Sequence, residues 1–247
     1  MTRIVNHFLV EFRWIKTYER EMIAHRITIA VNNKEIVSGV IAAPENHRVG
    51  KGTGVIIAHG AGNDMDHALI VTLSNGLAGA GFVTLRFNFP YKEKGRRAPD
   101  PQEKLILTWQ SVYNFLKTDA EFRTDKIVAA GKSMGGRVAS QMVADGQMAV
   151  NRLVFLGYPL HAPGKKDKLR DAHLYRISIP MLFFAGTRDP LCDLALLKGV
   201  LEKLPSPWSL ETIEGGDHSF VTPKSANTTQ EEIYGQILKK TINWLVI

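Results

Sequence analysis

The chain has 247 residues, of which 45% are hydrophobic and 22% charged, a balance that suits one large globular α/β domain with a substantial core. No apolar run approaches the roughly 18 residues of a membrane helix, and the N-terminal stretch carries six charges within Glu11–Glu21 and no apolar core, so it does not read as a secretory signal. The single cysteine, Cys192, excludes an internal disulfide and fits a reducing, cytoplasmic location, and the net charge of +7 is dispersed.

Residues 1–25 are read as an N-terminal extension, with Met22 as an alternative start, and residues 26–247 as one domain. Arg26–Val31 and Ile36–Ala43 read as strands of a hairpin whose turn, Asn32-Asn33-Lys34-Glu35, is expected to use asparagines at positive φ. Val55–Ala58 reads as a buried strand running into His59-Gly60-Ala61-Gly62. A helix from about Met65 to Ala80 follows, capped by Asp64 or Asp66 and closed by Gly79 and Gly81. Phe82–Phe87 is the next strand. Asn88–Pro101 reads as a basic loop, with Pro101 in the first turn of a helix whose apolar positions are Leu105, Trp109, Val112, Phe115 and Leu116.

The chain then offers its most informative stretch. Lys126–Ala130 is a β-branched run; Gly131-Lys132-Ser133-Met134-Gly135 follows; Val138–Val143 has helical spacing. Strand, sharp turn, helix is the context in which Gly-x-Ser-x-Gly becomes a nucleophile elbow. Glycines flank the serine because the backbones on either side pack too closely for side chains. A phosphate loop ending in Gly-Lys-Ser is excluded, because that motif needs glycine where Lys126 stands. Further strands are expected at Arg152–Gly157, Pro180–Ala185 and Trp208–Ile213, with helices at Leu191–Leu204 and Thr229–Val246. The whole reads as a mostly parallel, doubly wound sheet of about eight strands behind an N-terminal antiparallel hairpin.

Active sites of open α/β sheets lie beyond the C-terminal strand ends, and three candidates fall there: Ser133, Asp189 and His218. A serine hydroxyl needs an adjacent base, an imidazole can supply it, and a carboxylate can fix the imidazole tautomer. The order Ser…Asp…His is that of α/β-hydrolases. Asp217 is set aside because adjacent loop side chains diverge, and Asp193 because it falls in a helix first turn. The oxyanion donors are assigned to Met134 N–H, directly after the nucleophile, and to Ala61 N–H, with Gly62 as fallback and as a substrate contact. Tyr158 and His161 are candidate substrate contacts, and His59 is expected to orient its loop. Cys192 is expected to be a buried structural thiol. His59, Asp64, Asp66 and His67 match no metal-ligand spacing, so no metal is expected.

These stretches resemble the α/β-hydrolase superfamily in the neighbourhood of dienelactone hydrolase. More narrowly, Ala58–Met65, Gly131–Arg137, Gly157-Tyr158-Pro159-Leu160-His161, Lys168-Leu169-Arg170-Asp171 and Gly186–Asp189 resemble the testis-expressed protein 30 group and the hydrolase-like domain of the third subunit of the non-specific lethal histone-acetyltransferase complex. The resemblance implies an eight-stranded core, helices on both faces and Ser133, Asp189 and His218 as a triad. It implies no substrate, and one branch of that group acts as a scaffold. The expectation is therefore a serine esterase or thioesterase acting on a small-molecule acyl substrate without metal or organic cofactor, the alternative being a non-catalytic interaction module. Tyr158–Ser178 is expected to form a small flap, not a lid domain. With Arg86, Arg96 and Arg97 it could offer positive charge to an acidic leaving group such as a coenzyme A thioester. The basic stretches Lys92–Arg97 and Lys165–Arg170 lack interleaved aromatics, so no nucleic-acid partner is expected, and no membrane. Nothing in the sequence sets an oligomeric state.

Overall fold

The computed structural model describes residues 5–6 and 21–246; most of the expected N-terminal extension, residues 1–4 and 7–20, lies outside the described residues. Contacts cluster into two compact units, one ending at Val128 and the other beginning at Ala129.

In the first unit the strands β1 (Val5–Asn6), β2 (Met22–Asn32), β3 (Glu35–Pro44), β4 (Thr53–Ala58) and β5 (Val83–Phe87) hydrogen-bond in the order β1-β2-β3-β5-β4. β2 and β3 form the hairpin, and β2 begins at Met22, four residues before the alternating run at Arg26. β5 is antiparallel to β3 and parallel to β4. The hairpin turn is built differently from the sequence expectation: neither Asn32 nor Asn33 has positive φ. Asn32 Oδ1 instead accepts hydrogen bonds from Lys34 N at 2.8 Å and Glu35 N at 3.0 Å. The pairing also shifts register between Ala30 and Asn32. A side-chain-braced turn with a bulge supplies the twist that two left-handed residues would otherwise provide.

β4 and β5 are buried from Gly54 and Val83 onward, the continuous apolar pattern of strands covered on both faces. Helix α1 (Ala68–Gly79) packs on β3, β4 and β5, and α3 (Gln102–Thr118) on β2 and β4. Between them, in sequence, α2 (Pro90–Glu93) gives the basic loop one helical turn. The cap of α1 is His67, whose ring nitrogen accepts from Leu69 N at 3.3 Å, and not Asp64 or Asp66. Asp64 braces the preceding turn by accepting from Asp66 N at 3.0 Å, and Asp66 pairs with Arg86, so both carboxylates are engaged before the helix begins. Trp109 of α3 is fully buried with its ring edge-on to Phe87 at 5.2 Å.

β6 (Lys126–Lys132) carries the chain into the second unit, where the strand order is β6-β7-β8-β9, with β7 (Arg152–Leu156), β8 (Met181–Gly186) and β9 (Trp208–Ile213). β8 is parallel to both β7 and β9. Helices α4 (Met134–Ala144), α5 (Leu194–Leu201) and α6 (Gln230–Leu245) complete the alternation; α4 packs on β7 and α6 on β8. Two caps have clear chemical causes: Asp193 accepts from Ala195 N and Leu196 N, and Thr229 and Glu232 form a reciprocal capping box. Eight strands, β2 to β9, are those the sequence pattern marks. No helix among the described residues is long and apolar enough to cross a membrane.

Candidate active site

β6 delivers Gly131 and Lys132 to a turn in which Ser133 has φ 48° and ψ −113°, and α4 starts at the next residue. The turn needs glycine on both sides: a β-carbon on Gly131 would lie 2.2 Å from Gly136 N, and one on Gly136 2.7 Å from Gly131 O. Such contacts would force backbone to move, so the two glycines hold strand and helix at their observed separation. Ser133 N donates to Leu156 O of the neighbouring strand at 3.1 Å. Met134 is the first residue of α4, where an amide N–H has no intrahelical acceptor.

The imidazole of His218 lies against this serine. Its Nε2 is 2.8 Å from Ser133 Oγ, and its Nδ1 is 2.8 Å from Asp189 Oδ2. With the carboxylate ionised, Nδ1 carries the proton and donates to Asp189, leaving Nε2 to accept from the serine hydroxyl. The Asp189 side chain is fully inaccessible to solvent, while that of His218 retains 21% exposure. Asp189 also braces the turn that follows it, since Oδ1 accepts from Leu191 N at 2.8 Å. Asp217 turns away and braces the loop, with Oδ1 accepting from Ser219 N at 2.7 Å and Val221 N at 2.9 Å.

The Asp189 and His218 loops are joined mainly through backbone groups. Arg188 N donates to Gly216 O at 2.8 Å, Thr187 N to Ile213 O at 3.1 Å, and Gly215 N to Thr187 Oγ1 at 2.7 Å. Gly186 makes this approach possible: a β-carbon there would lie 2.2 Å from Gly216 O and 2.6 Å from Asp217 O. Phe220, fully buried, closes the loop at φ 62°, a conformation that favours glycine and that no signal in the sequence marks. Gly186, at the end of a strand before Asp189, was legible as a glycine but not as the floor of the histidine loop.

The other candidates separate. Tyr158 is 1% exposed, and its hydroxyl donates to Arg170 O at 2.5 Å and lies 3.3 Å from His173 Nε2. His161 is equally buried, with Nδ1 3.0 Å from Ala162 O and Nε2 accepting from Asp193 N at 3.1 Å. In this structure the polar atoms of both side chains are engaged in bracing the Tyr158–Ser178 connection. Arg86 is likewise engaged, donating to Met65 O at 3.0 Å and pairing with Asp66. Arg96 pairs with Asp100, which leaves only Arg97 of the three arginines without such an ion pair among the described residues. Cys192 is buried, and burial pushes its thiol up to about 12.

Ala61 and Gly62 belong to the first unit. Their loop is held by His59, whose Nδ1 lies 2.8 Å from Gly60 O and whose Nε2 accepts from Phe89 N at 3.1 Å. Tyr91 adds a hydrogen bond to Ala61 O at 3.0 Å. Gly62 is exposed, and a β-carbon there would meet nothing within 4 Å.

Burial holds the imidazole of His59 down at about 4 from its usual 6.5, and His173 is held at about 4 by burial and by the Arg137 and Arg176 charges. Between pH 6.5 and 4 the unfolded chain takes up protons that the folded chain refuses. Stability is therefore full above 6.5 and falls as pH drops toward 4, by on the order of 3 kcal/mol for His59 alone. Urea unfolding at pH 7 and pH 4.5 should show the midpoint falling at the lower pH, and an unchanged midpoint would remove both histidines from this role.

The fold and this geometry can be set beside known proteins. The sequence profile described as "Alpha/beta hydrolase domain" matches residues 51–246. The chain belongs to the α/β-hydrolase family. Among solved structures this α/β-hydrolase chain is similar to a dienelactone hydrolase from Anabaena variabilis, with 20% identity, a TM-score of 0.71, and coverage of 90% of this chain and 96% of that one. It is similar to Est1E from Butyrivibrio proteoclasticus, solved with ferulic acid bound, at 17% identity and TM-score 0.70 over 89% of this chain and 99% of that one. XC6422 from Xanthomonas campestris, described as a serine hydrolase without a lid, matches at 18% identity and TM-score 0.67 over 90% and 94%. At these identities the likeness shows the fold. A curated relative from Mycobacterium tuberculosis, named as a candidate phosphoribosyl transferase, is 26% identical over 213 residues, which is 85% of this chain and 43% of the relative. The chain thus spans less than half the length of the curated relatives it matches.

Proposed function

We propose that the protein is a serine hydrolase that cleaves an ester or thioester through an acyl-enzyme on Ser133. The observation that carries this reading is the unbroken relay of 2.8 Å contacts from Ser133 Oγ through His218 to Asp189. In the first half-reaction Ser133 Oγ attacks the acyl carbonyl while His218 Nε2 takes the hydroxyl proton. The Asp189 carboxylate accepts from Nδ1–H and stabilises the imidazolium that forms. The tetrahedral oxyanion is met by Met134 N–H at the start of α4, where the helix dipole also favours negative charge. Collapse expels the alcohol or thiol, which takes the proton back from Nε2. Water then enters, gives a proton to the same nitrogen, and attacks the acyl-enzyme; collapse of the second intermediate releases the acid and returns the proton to Ser133.

The dienelactone hydrolase and esterase names of the structural neighbours support this reaction class. The transferase name belongs to a protein of which the match covers 43%, and the Ser133 relay is the arrangement of an acyl-transfer site. Kinship with the testis-expressed protein 30 group is proposed mainly on Tyr158-Pro159-Leu160-His161 and Lys168-Leu169-Arg170-Asp171. In the fold these two stretches touch: Arg170 N donates to Leu160 O at 2.7 Å and Tyr158 to Arg170 O. They form one folded connection.

A fluorophosphonate probe tests the reading without a known substrate. The folded protein should be labelled once, on the peptide that contains Ser133, and prior heat denaturation should abolish labelling. Absence of label on folded protein would leave the non-catalytic module as the better account.

A further inference from the structure

Lys132, the residue between the first glycine of the elbow and the nucleophile, is 3% exposed although it carries an ammonium group. A lysine side chain is seldom buried to this extent without a carboxylate in contact. Its surroundings explain where the charge goes. Gly157, at φ 69°, leaves a hollow beside the catalytic histidine: a β-carbon there would lie 3.1 Å from Lys132 Nζ, 3.2 Å from His218 O and 3.6 Å from His218 Cε1. The ammonium group and the imidazole edge therefore share one small space. On another side, Nζ stands 5.7 Å from the centre of the Phe220 ring, the residue that closes the histidine loop at positive φ.

We propose that Lys132 is a positioning residue of the Ser133 site, the resident counter-charge that balances the buried Asp189 carboxylate and so keeps His218 unprotonated and available as a base in the resting enzyme. The proposal rests on reading Ser133, His218 and Asp189 as a triad. The Asp189 side chain is fully inaccessible, and an ionised carboxylate in that position calls for positive charge nearby. Two sources exist. A proton on His218 would supply it and leave the nucleophile without a base; the Lys132 ammonium supplies it without touching the imidazole nitrogens.

Among the described residues, the ionisable groups that these contacts bring to His218 and Lys132 are Asp189 from the loop after β8, Lys132 itself from the end of β6, and Asp217 from the histidine loop. Burial draws Lys132 down to about 8 from 10.5, with the charges of Asp189 and Asp217 opposing the shift. The side chain thus remains charged through the range where an imidazole titrates. It is also a residue whose charge costs folding free energy: the unfolded chain binds this proton up to 10.5 and the folded chain only to about 8.

The test uses three full-length variants, Lys132→Met, Lys132→Gln and Lys132→Arg, with the pH dependence of kcat/KM on p-nitrophenyl acetate and an NMR titration of the His218 ring. In both neutral variants the acid-side midpoint of activity should move up by about one pH unit, the NMR midpoint of His218 should move with it, and the melting temperature at pH 7 should not fall. The Arg variant should restore the wild-type midpoint. Unmoved midpoints in the neutral variants overturn the proposal. So does an Arg midpoint displaced as far as theirs, which would mean packing and not charge, and so does failure of both neutral variants to fold, which would make Lys132 structural. The NMR midpoint is read whether or not any ester is turned over. A protein that hydrolyses nothing but whose His218 midpoint moves would sink the hydrolase reading alone.

Discussion

Replacing Ser133 by alanine should lower the turnover of p-nitrophenyl esters by a factor on the order of 10⁴ or more, leaving only the residual rate that substrate binding and the oxyanion donors provide. The loss belongs to kcat, because the hydroxyl makes its bond in the reaction and contributes little to holding the ester beforehand. A second variant separates chemistry from backbone strain. Ser133 sits at φ 48° and ψ −113°, where a side chain is disfavoured. Ser133→Gly should be as inactive as Ser133→Ala and more stable than it by about 1 kcal/mol, since glycine takes such φ without steric cost. The check is a steady-state assay on both variants with urea unfolding alongside. Equal turnover by wild-type and Ser133→Ala protein would end the covalent mechanism.

The second large effect is expected at a residue with no chemistry of its own. A β-carbon on Gly186 would fall 2.2 Å from Gly216 O and 2.6 Å from Asp217 O, both backbone atoms of the loop that carries His218. Gly186→Ala must push that loop away, and displacing a catalytic base by about 1 Å costs on the order of 10²-fold in rate. Activity should therefore fall by at least that factor, with a stability loss of about 1–3 kcal/mol from the overpacked contact. Gly199 in α5 is the control. Its β-carbon would meet nothing within 4 Å, so Gly199→Ala should leave activity unchanged and stabilise the helix by about 0.5–1 kcal/mol. If Gly186→Ala retained activity within a factor of two of wild type, the loop contact would have no part in holding His218.

The contrast between those two glycines also shows what a sequence can disclose. The elbow was readable because its evidence is local: strand, Gly-x-Ser-x-Gly and helix follow within about twenty residues, and the spacing itself demands small residues. Asp189 and His218 were readable because strand ends in this architecture converge on one edge, so chain order was enough to nominate them. Tyr158 and His161 were nominated by the same reasoning. They too follow a strand end, but Arg170 and Asp193, well separated in sequence, claim their polar atoms. Which partner reaches a side chain first is settled by long-range packing, on which local pattern is silent. The hairpin turn and the cap of α1 failed for a related reason. Asparagine can take left-handed angles or brace a turn with its side chain, and aspartate can cap a helix or brace the turn before it; Asn32 and Asp64 both brace turns. Lys132 stands at an unspecified position of Gly-x-Ser-x-Gly, so the motif says nothing of its environment. Its burial beside the imidazole follows from Gly157, twenty-five residues further on.

The seam between the Asp189 and His218 loops has an evolutionary corollary. Its links from Arg188 N to Gly216 O and from Thr187 N to Ile213 O involve no side chain; Arg188 and Glu214 are exposed, and Glu214 adds only an acceptor for Thr187 Oγ1 at 3.4 Å. Descendants of this chain can therefore exchange the residues on that rim without disassembling the relay beneath. Drift at positions 188 and 214 can run through a lineage and leave those two backbone joints as they are.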